Sequence, residues 1–319
     1  GCDQGEIMDL FWMNIPWIFQ DVHQAFAVPM PSADLPKLLP DEVSIQEVLP
    51  WDHALPYDFA LVGIEQCGTT SLFRNLDKHP QVNFTSSGHT GTNAEGNLED
   101  VFLTWSDHAH AYVPTAEEAA RRHGQAALFR RHPGVKLGIY NAIIWRSYHG
   151  RFALSRHPGM KVIMAVCSPV RRATSVSEGN LKRLVRMVEG GEMSLWQGAM
   201  DMHRLFGDRM LVVHTESLND PRVRRRLTDF IGVRPFPSSH HFGRYHTTGT
   251  SQRICGNQTL AKWAQKKLHT DSQAFAWLLG QQGMPVPTSL SEPLGHCRDQ
   301  THLRCRNWNR DMTRHLPCE

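Results

Sequence analysis

The segment Phe59-Ala60-Leu61-Val62-Gly63-Ile64-Glu65-Gln66-Cys67-Gly68-Thr69-Thr70-Ser71-Leu72 constrains this chain more than any other stretch of it. Phe59 to Ile64 is an apolar run of strand length, and Leu72, Phe73 and Leu76 recur on one helical face over Thr70 to Lys78. Gly63 and Gly68 bound the connection, so the reading is strand, tight loop, helix. Such a turn aims successive backbone N–H groups and the positive end of a helix at one point, where a phosphate would sit. Gln66, Cys67, Gly68, Thr69, Thr70 and Ser71 are the candidate binding residues. Ordinary helix capping by the hydroxyls of Thr69, Thr70 and Ser71 is the plainer account.

Further strand and helix signals alternate along the chain. His79-Pro80 closes the first helix, and 81–84 reads as a second strand. Residues 86–100 hold three glycines, four serines or threonines and two asparagines, which predicts a long loop. A capped helix is expected over 115–131, a strand over 135–140, a helix over 142–156 and the clearest strand over 161–166. Pro169 opens a helix running to about Met187, Leu195 to Phe206 makes another, and Met210 to His214 returns as a strand. Pro221 to Ile231, ended by Gly232, and the stretches 260–268 and 272–279 complete the helices. Strands alternating with helices predict an α/β fold: three layers, with a largely parallel sheet and helices on both faces.

Composition excludes several classes. The chain has 319 residues, 40% hydrophobic and 20% charged, and 34 basic side chains stand against 31 acidic ones for a net charge of +3. That is a globular balance, neither disordered nor suited to coating nucleic acid. The run Arg222-Val223-Arg224-Arg225-Arg226 is too short for a nucleic-acid footprint and reads as the solvated face of a helix. No stretch is long and apolar enough to cross a bilayer. The aromatic segment 11–19 reads as part of an arm laid over the core, with a protein partner as the alternative. Six prolines over 20–57 predict an extended arm over 1–57, followed by an α/β domain over 58–285 and an irregular tail over 286–319.

Seven cysteines leave at least one thiol unpaired within the chain. Cys255, Cys297, Cys305 and Cys318 are the candidates for one or two disulfides near the tail, with free thiols as the alternative; the spacing suits a metal site poorly, and none is expected. Asn83-Phe-Thr85 and Asn257-Gln-Thr259 are glycosylation acceptor sequons. They are compatible with the secretory pathway or Golgi lumen, the cytoplasm being the alternative.

The spacing of Gly63 and Gly68 matches a nucleotide-triphosphate loop, but Thr69 stands where that loop has lysine, which disfavours an ATPase or GTPase. Gly68-Thr69-Thr70-Ser71-Leu72, then Leu76, then His79-Pro80, resembles instead the phosphosulfate-binding loop of PAPS-dependent sulfotransferases. Cys167-Ser168-Pro169-Val170-Arg171-Arg172-Ala173-Thr174-Ser175 is similar to that family's second signature, a strand leading into RNPxxRxxS; Pro169, Arg172 and Ser175 fit it. His214-Thr215-Glu216-Ser217-Leu218 with Asp220-Pro221 looks like its later strand and DP segment. The resemblance covers 59 to about 235. It implies a P-loop-like sulfotransferase fold and PAPS as co-substrate, with the first loop around the donor's 5′ end and the junction 167–175 around its 3′-phosphate. The sulfuryl group would pass to a small-molecule or carbohydrate hydroxyl.

Two departures stand out. Gln66 occupies the place of the family's lysine and Cys167 that of an arginine, so two phosphate-facing cations are lost. Arg171, Arg172, Arg183 and Arg253 are the replacements to consider, Arg172 first because it shares the motif. The resemblance places the acceptor's base after the second strand, where His89 is the candidate, with Glu95 and Glu99 behind it. A non-catalytic structural or interaction protein on the same fold is the alternative function.

Overall fold

The computed structural model describes residues 57–84, 134–145, 151, 154, 155, 157, 159–243 and 254–292. All fall within one compact unit, Val48–Glu319. Among the described residues five strands form a sheet: β1 Phe59–Gly63, β2 Val82–Phe84, β3 Lys136–Tyr140, β4 Lys161–Val166 and β5 Met210–His214. Their order is β2-β3-β1-β4-β5, and every neighbouring pair runs parallel. β1 and β5 are buried at every position and β4 at all but Lys161, which requires cover on both faces. The expected α/β architecture, with a largely parallel sheet flanked by helices, is the one observed.

The helices are α1 Thr69–Leu76, α2 Pro169–Val176, α3 Leu181–Glu189, α4 Trp196–Phe206, α5 Pro221–Ile231, α6 Gln258–Lys267, α7 His269–Gln281 and the short α8 Thr288–Ser291. The main core joins the sheet to Leu72, Leu76, Phe206, Leu227 and Phe275 among others. A smaller one lies among α2, α3 and α6, built from Val170, Ala173, Leu184, Val188, Ala261 and Ala264.

One element differs from expectation. The single helix predicted from Pro169 to Met187 is two, because the chain takes positive φ at Glu178 and Gly179 and restarts at Asn180. The Asn180 side chain accepts the N–H groups of Lys182 and Arg183, both at 3.1 Å. A continuous apolar periodicity hid a local cap. The helix expected over 142–156 begins as a turn at 142–145. The loop over 86–100, the helix over 115–131, the aromatic segment 11–19 and most of the tail lie outside the described residues.

Strand order decides where a ligand can enter. After β1 the chain moves to one side of the sheet, and after β4 it moves to the other. The crevice outside the carboxyl ends of these two adjacent strands is therefore a topological switch point, the habitual ligand site of open α/β sheets.

Candidate functional site

The loop leaving β1 is shaped by its glycines. Gly68 has φ +81° and is the N-cap of α1, and Gln66 before it also has positive φ. At Gly63 a Cβ would lie 2.3 Å from Thr69 Cγ2, so the helix start can fold back onto the strand end only over glycine. The first helical bond runs from Leu72 N–H to the Gly68 carbonyl at 3.1 Å. The N–H groups of Thr69, Thr70 and Ser71 precede it and carry the positive end of the helix dipole.

The loop leaving β4 lies directly alongside. Ser168 caps α2 by accepting the Arg171 N–H, with Pro169 in the first turn. Cys67 and Cys167 are joined by a disulfide with Cα atoms 5.1 Å apart, closing a chain separation of 100 residues. Beside it Ser175 Oγ donates to Gln66 Oε1 at 3.1 Å. The structure thus brings Gln66, Cys67, Gly68, Thr69, Thr70, Ser71, Arg172 and Ser175 to one crevice between β1 and β4.

Three of these residues are occupied differently from what their sequence positions suggest. Cys67 offers no thiol, and its N–H bonds the Ile64 carbonyl at 3.0 Å. This pair was not among the expected disulfides; Cys255, one of the expected cysteines, is disulfide-bonded as well, and Cys297, Cys305 and Cys318 lie outside the described residues. Arg172, expected as the replacement cation, is 1% exposed and all three of its guanidinium nitrogens are engaged. Nε donates to the Glu65 carbonyl at 3.2 Å, Nη2 to Glu65 Oε1 at 2.8 Å, and Nη1 to Met193 Sδ at 3.4 Å. Glu65 also accepts Trp145 Nε1–H at 3.3 Å. The Thr70 hydroxyl lies 3.1 Å from Tyr140 Oη, which also reaches the Thr69 hydroxyl at 3.5 Å.

A second charged group lines the end of β5. Arg171 Nη1 meets Glu216 Oε1 at 3.2 Å, and Ser289 Oγ donates to Glu216 Oε2 at 2.5 Å. Burial would raise the Glu216 pKa, but His214, the Ser289 hydroxyl and Arg171 outweigh it and hold the carboxyl below its ordinary value. His214 is fully buried, and burial, opposed by Glu216 and aided by Arg171, lowers its pKa to about 4. Its Nδ1 accepts the Glu216 N–H at 3.3 Å, and its Nε2 has no partner among the described residues. Arg183 is 3.7 Å from Glu178. His89, Glu95, Glu99 and Arg253 lie outside the described residues.

Sequence reasoning missed Glu65, Tyr140 and Glu216 as parts of this crevice. Glu65 carried a signal, since an acid inside an anion-binding turn must be neutralised by something. Its partner 107 residues away could not be read from spacing.

The arrangement can hold an anionic group through backbone N–H groups, the helix dipole and neutral side-chain donors. It presents little uncompensated positive charge among the described residues.

No protein-family model matches the sequence. A search of curated proteins finds no match either. Among solved structures the chain is similar to a sulfotransferase from Alicyclobacillus acidocaldarius, with TM-score 0.46 and 16% identity over 74% of this chain and 99% of that one. It is also similar to the sulfotransferase domain of the Synechococcus PCC 7002 olefin synthase, with TM-score 0.40 and 19% identity over 74% and 98% of the two chains. A third likeness is to the sulfotransferase STF9 from Mycobacterium avium, with TM-score 0.38 and 13% identity over 76% and 81%.

Proposed function

We propose that this chain is a divergent sulfotransferase that binds PAPS in the crevice between β1 and β4 and passes its sulfuryl group to a hydroxyl-bearing acceptor, a carbohydrate or another small molecule. The observation that supports the reading is the meeting of two segments. The turn 63–71 and the junction 167–175 each resemble a phosphate-binding segment of one family, and they touch through Cys67–Cys167 and through Ser175 and Gln66.

The donor set fits the phosphosulfate end of PAPS. Backbone N–H groups at the start of α1 suit anionic oxygens, and the Gln66 amide and the Thr70 hydroxyl add neutral donors. PAPS supplies the sulfuryl group, and the chain's part is to align acceptor and donor oxygens and to stabilise charge growing on the leaving phosphate. His89 is the proposed acceptor base, with Glu95 and Glu99 as the other candidates.

A second reading, a non-catalytic protein on the same fold, is favoured by one observation: Arg172 is buried and ion-paired with Glu65, while Gln66 and Cys167 replace cations. Calorimetric titration with adenosine 3′,5′-bisphosphate separates the two. Binding supports the donor site, and no detectable heat at millimolar nucleotide overturns it. Turnover of labelled PAPS with a mixed acceptor panel then tests catalysis, and an unchanged rate in His89→Ala removes His89 as base.

The proposed compartment is the secretory pathway or Golgi lumen. It is supported by oxidised Cys67, Cys167 and Cys255 and by the exposed sequon residue Asn257. The proposed protein partner of segment 11–19 goes with that setting. No helix among the described residues is long and apolar enough to cross a membrane.

A further inference from the structure

Resting on the donor-site reading above, we infer that this crevice does not select for the donor's 3′-phosphate, so that a nucleoside 5′-phosphosulfate lacking it is a donor as well. The argument is an inventory of charge at the mouth of β1 and β4. Two arginines follow β4 at the start of α2, and each is paired with a carboxylate, Arg172 with Glu65 and Arg171 with Glu216. Among the described residues these two pairs leave no net charge. Arg172 is buried, and three of its five N–H groups are given to Glu65 and Met193.

A phosphate entering beside Arg172 would compete with Glu65 for the same guanidinium and would meet the carboxylate at close range. That exchange gains little, because a like charge is brought in wherever the ion pair is kept. At position 167, where the resemblance implies a cation, the side chain is half of a buried disulfide. The hydroxyl that remains, Ser175, already donates to Gln66. Among the described residues the 3′-phosphate would therefore be met by arginines already paired with carboxylates and by neutral donors.

The 5′ end stands differently. Its proposed donors are main-chain N–H groups and a helix dipole, which need no cation and are not consumed by Glu65 or Glu216. One neutral hydrogen bond changes affinity by about tenfold at most, whereas an arginine pairing a phosphate changes it by about a hundredfold or more. Recognition is then carried by the 5′ group and the nucleoside, with the 3′-phosphate nearly indifferent.

The test compares adenosine 5′-monophosphate with adenosine 3′,5′-bisphosphate on the full chain by calorimetry at low and high salt. The expected result is dissociation constants within tenfold of each other and rising equally with salt, with adenosine 5′-phosphosulfate and PAPS both consumed as donors. Bisphosphate binding more than tenfold tighter, with a steeper salt dependence, overturns the inference and leaves the PAPS reading intact. Silence of both nucleotides at millimolar concentration overturns both. The paired change Cys67→Ala and Cys167→Arg supplies a cation at position 167 and is expected to open the ratio beyond tenfold in favour of the bisphosphate. An unchanged ratio in the folded variant counts against the role given to position 167, and the wild-type titrations decide alone if the variant does not fold.

Discussion

His214 shows how much of this protein's pH behaviour is carried by one side chain. Its imidazole is buried at the end of β5 and neutral in the native state, with a pKa of about 4, while an unfolded histidine titrates near 6.5. The unfolded chain therefore takes up this proton first on acidification, and stability rises with pH across that interval and is lost as pH falls from about 6.5 to about 4. The expected loss is about 3 kcal/mol. Glu216, held below its ordinary value, contributes stability above the unfolded carboxyl pKa that is lost at still lower pH, so the two effects have the same sign. Urea denaturation at pH 7, 5.5 and 4 checks this, and His214→Leu should reduce the slope between the first two. Neither effect was legible in the sequence, where His214 is simply the last residue of a strand. Its burial follows from the helices that close over β5.

At the scale of elements, the break between α2 and α3 matters because it sets how both helices pack. Asn180 satisfies two N–H groups at the start of α3, and Val170, Ala173, Leu184 and Val188 then meet in the smaller core. Asn180→Ala is expected to cost about 1 kcal/mol, read as a lower denaturation midpoint with an unchanged dependence on denaturant. The strands and most helices were legible from apolar periodicity, as β1, β4 and β5 show: buried parallel strands read as continuous apolar runs. The break was not, because Leu181, Leu184 and Val188 continue a helical spacing across it. Only the positive φ of Glu178 and Gly179 reveals the restart.

At the scale of the whole molecule, the Cys67–Cys167 disulfide ties the two halves of the sheet at its switch point. It closes a loop of about 100 residues, and a cross-link of that span restricts the unfolded chain by about 4 to 5 kcal/mol in the chain-entropy account. Replacing both cysteines by alanine should lower the denaturation midpoint accordingly, and a non-reducing peptide map of the wild-type chain should show the two segments linked. The alternation of strands and helices, the glycine turn at 63–68 and the loss of two expected cations at Gln66 and Cys167 could all be read from the order of residues. Those are local properties, set by periodicity, φ and side-chain chemistry. The strand order, the disulfide, and the capture of Arg172 by Glu65 were decided only in three dimensions. The disulfide, the ion pair and the pairing of β1 with β4 each join residues about 100 positions apart, and whether an arginine is a ligand or a buried partner depends on which carboxylate the folded sheet sets beside it.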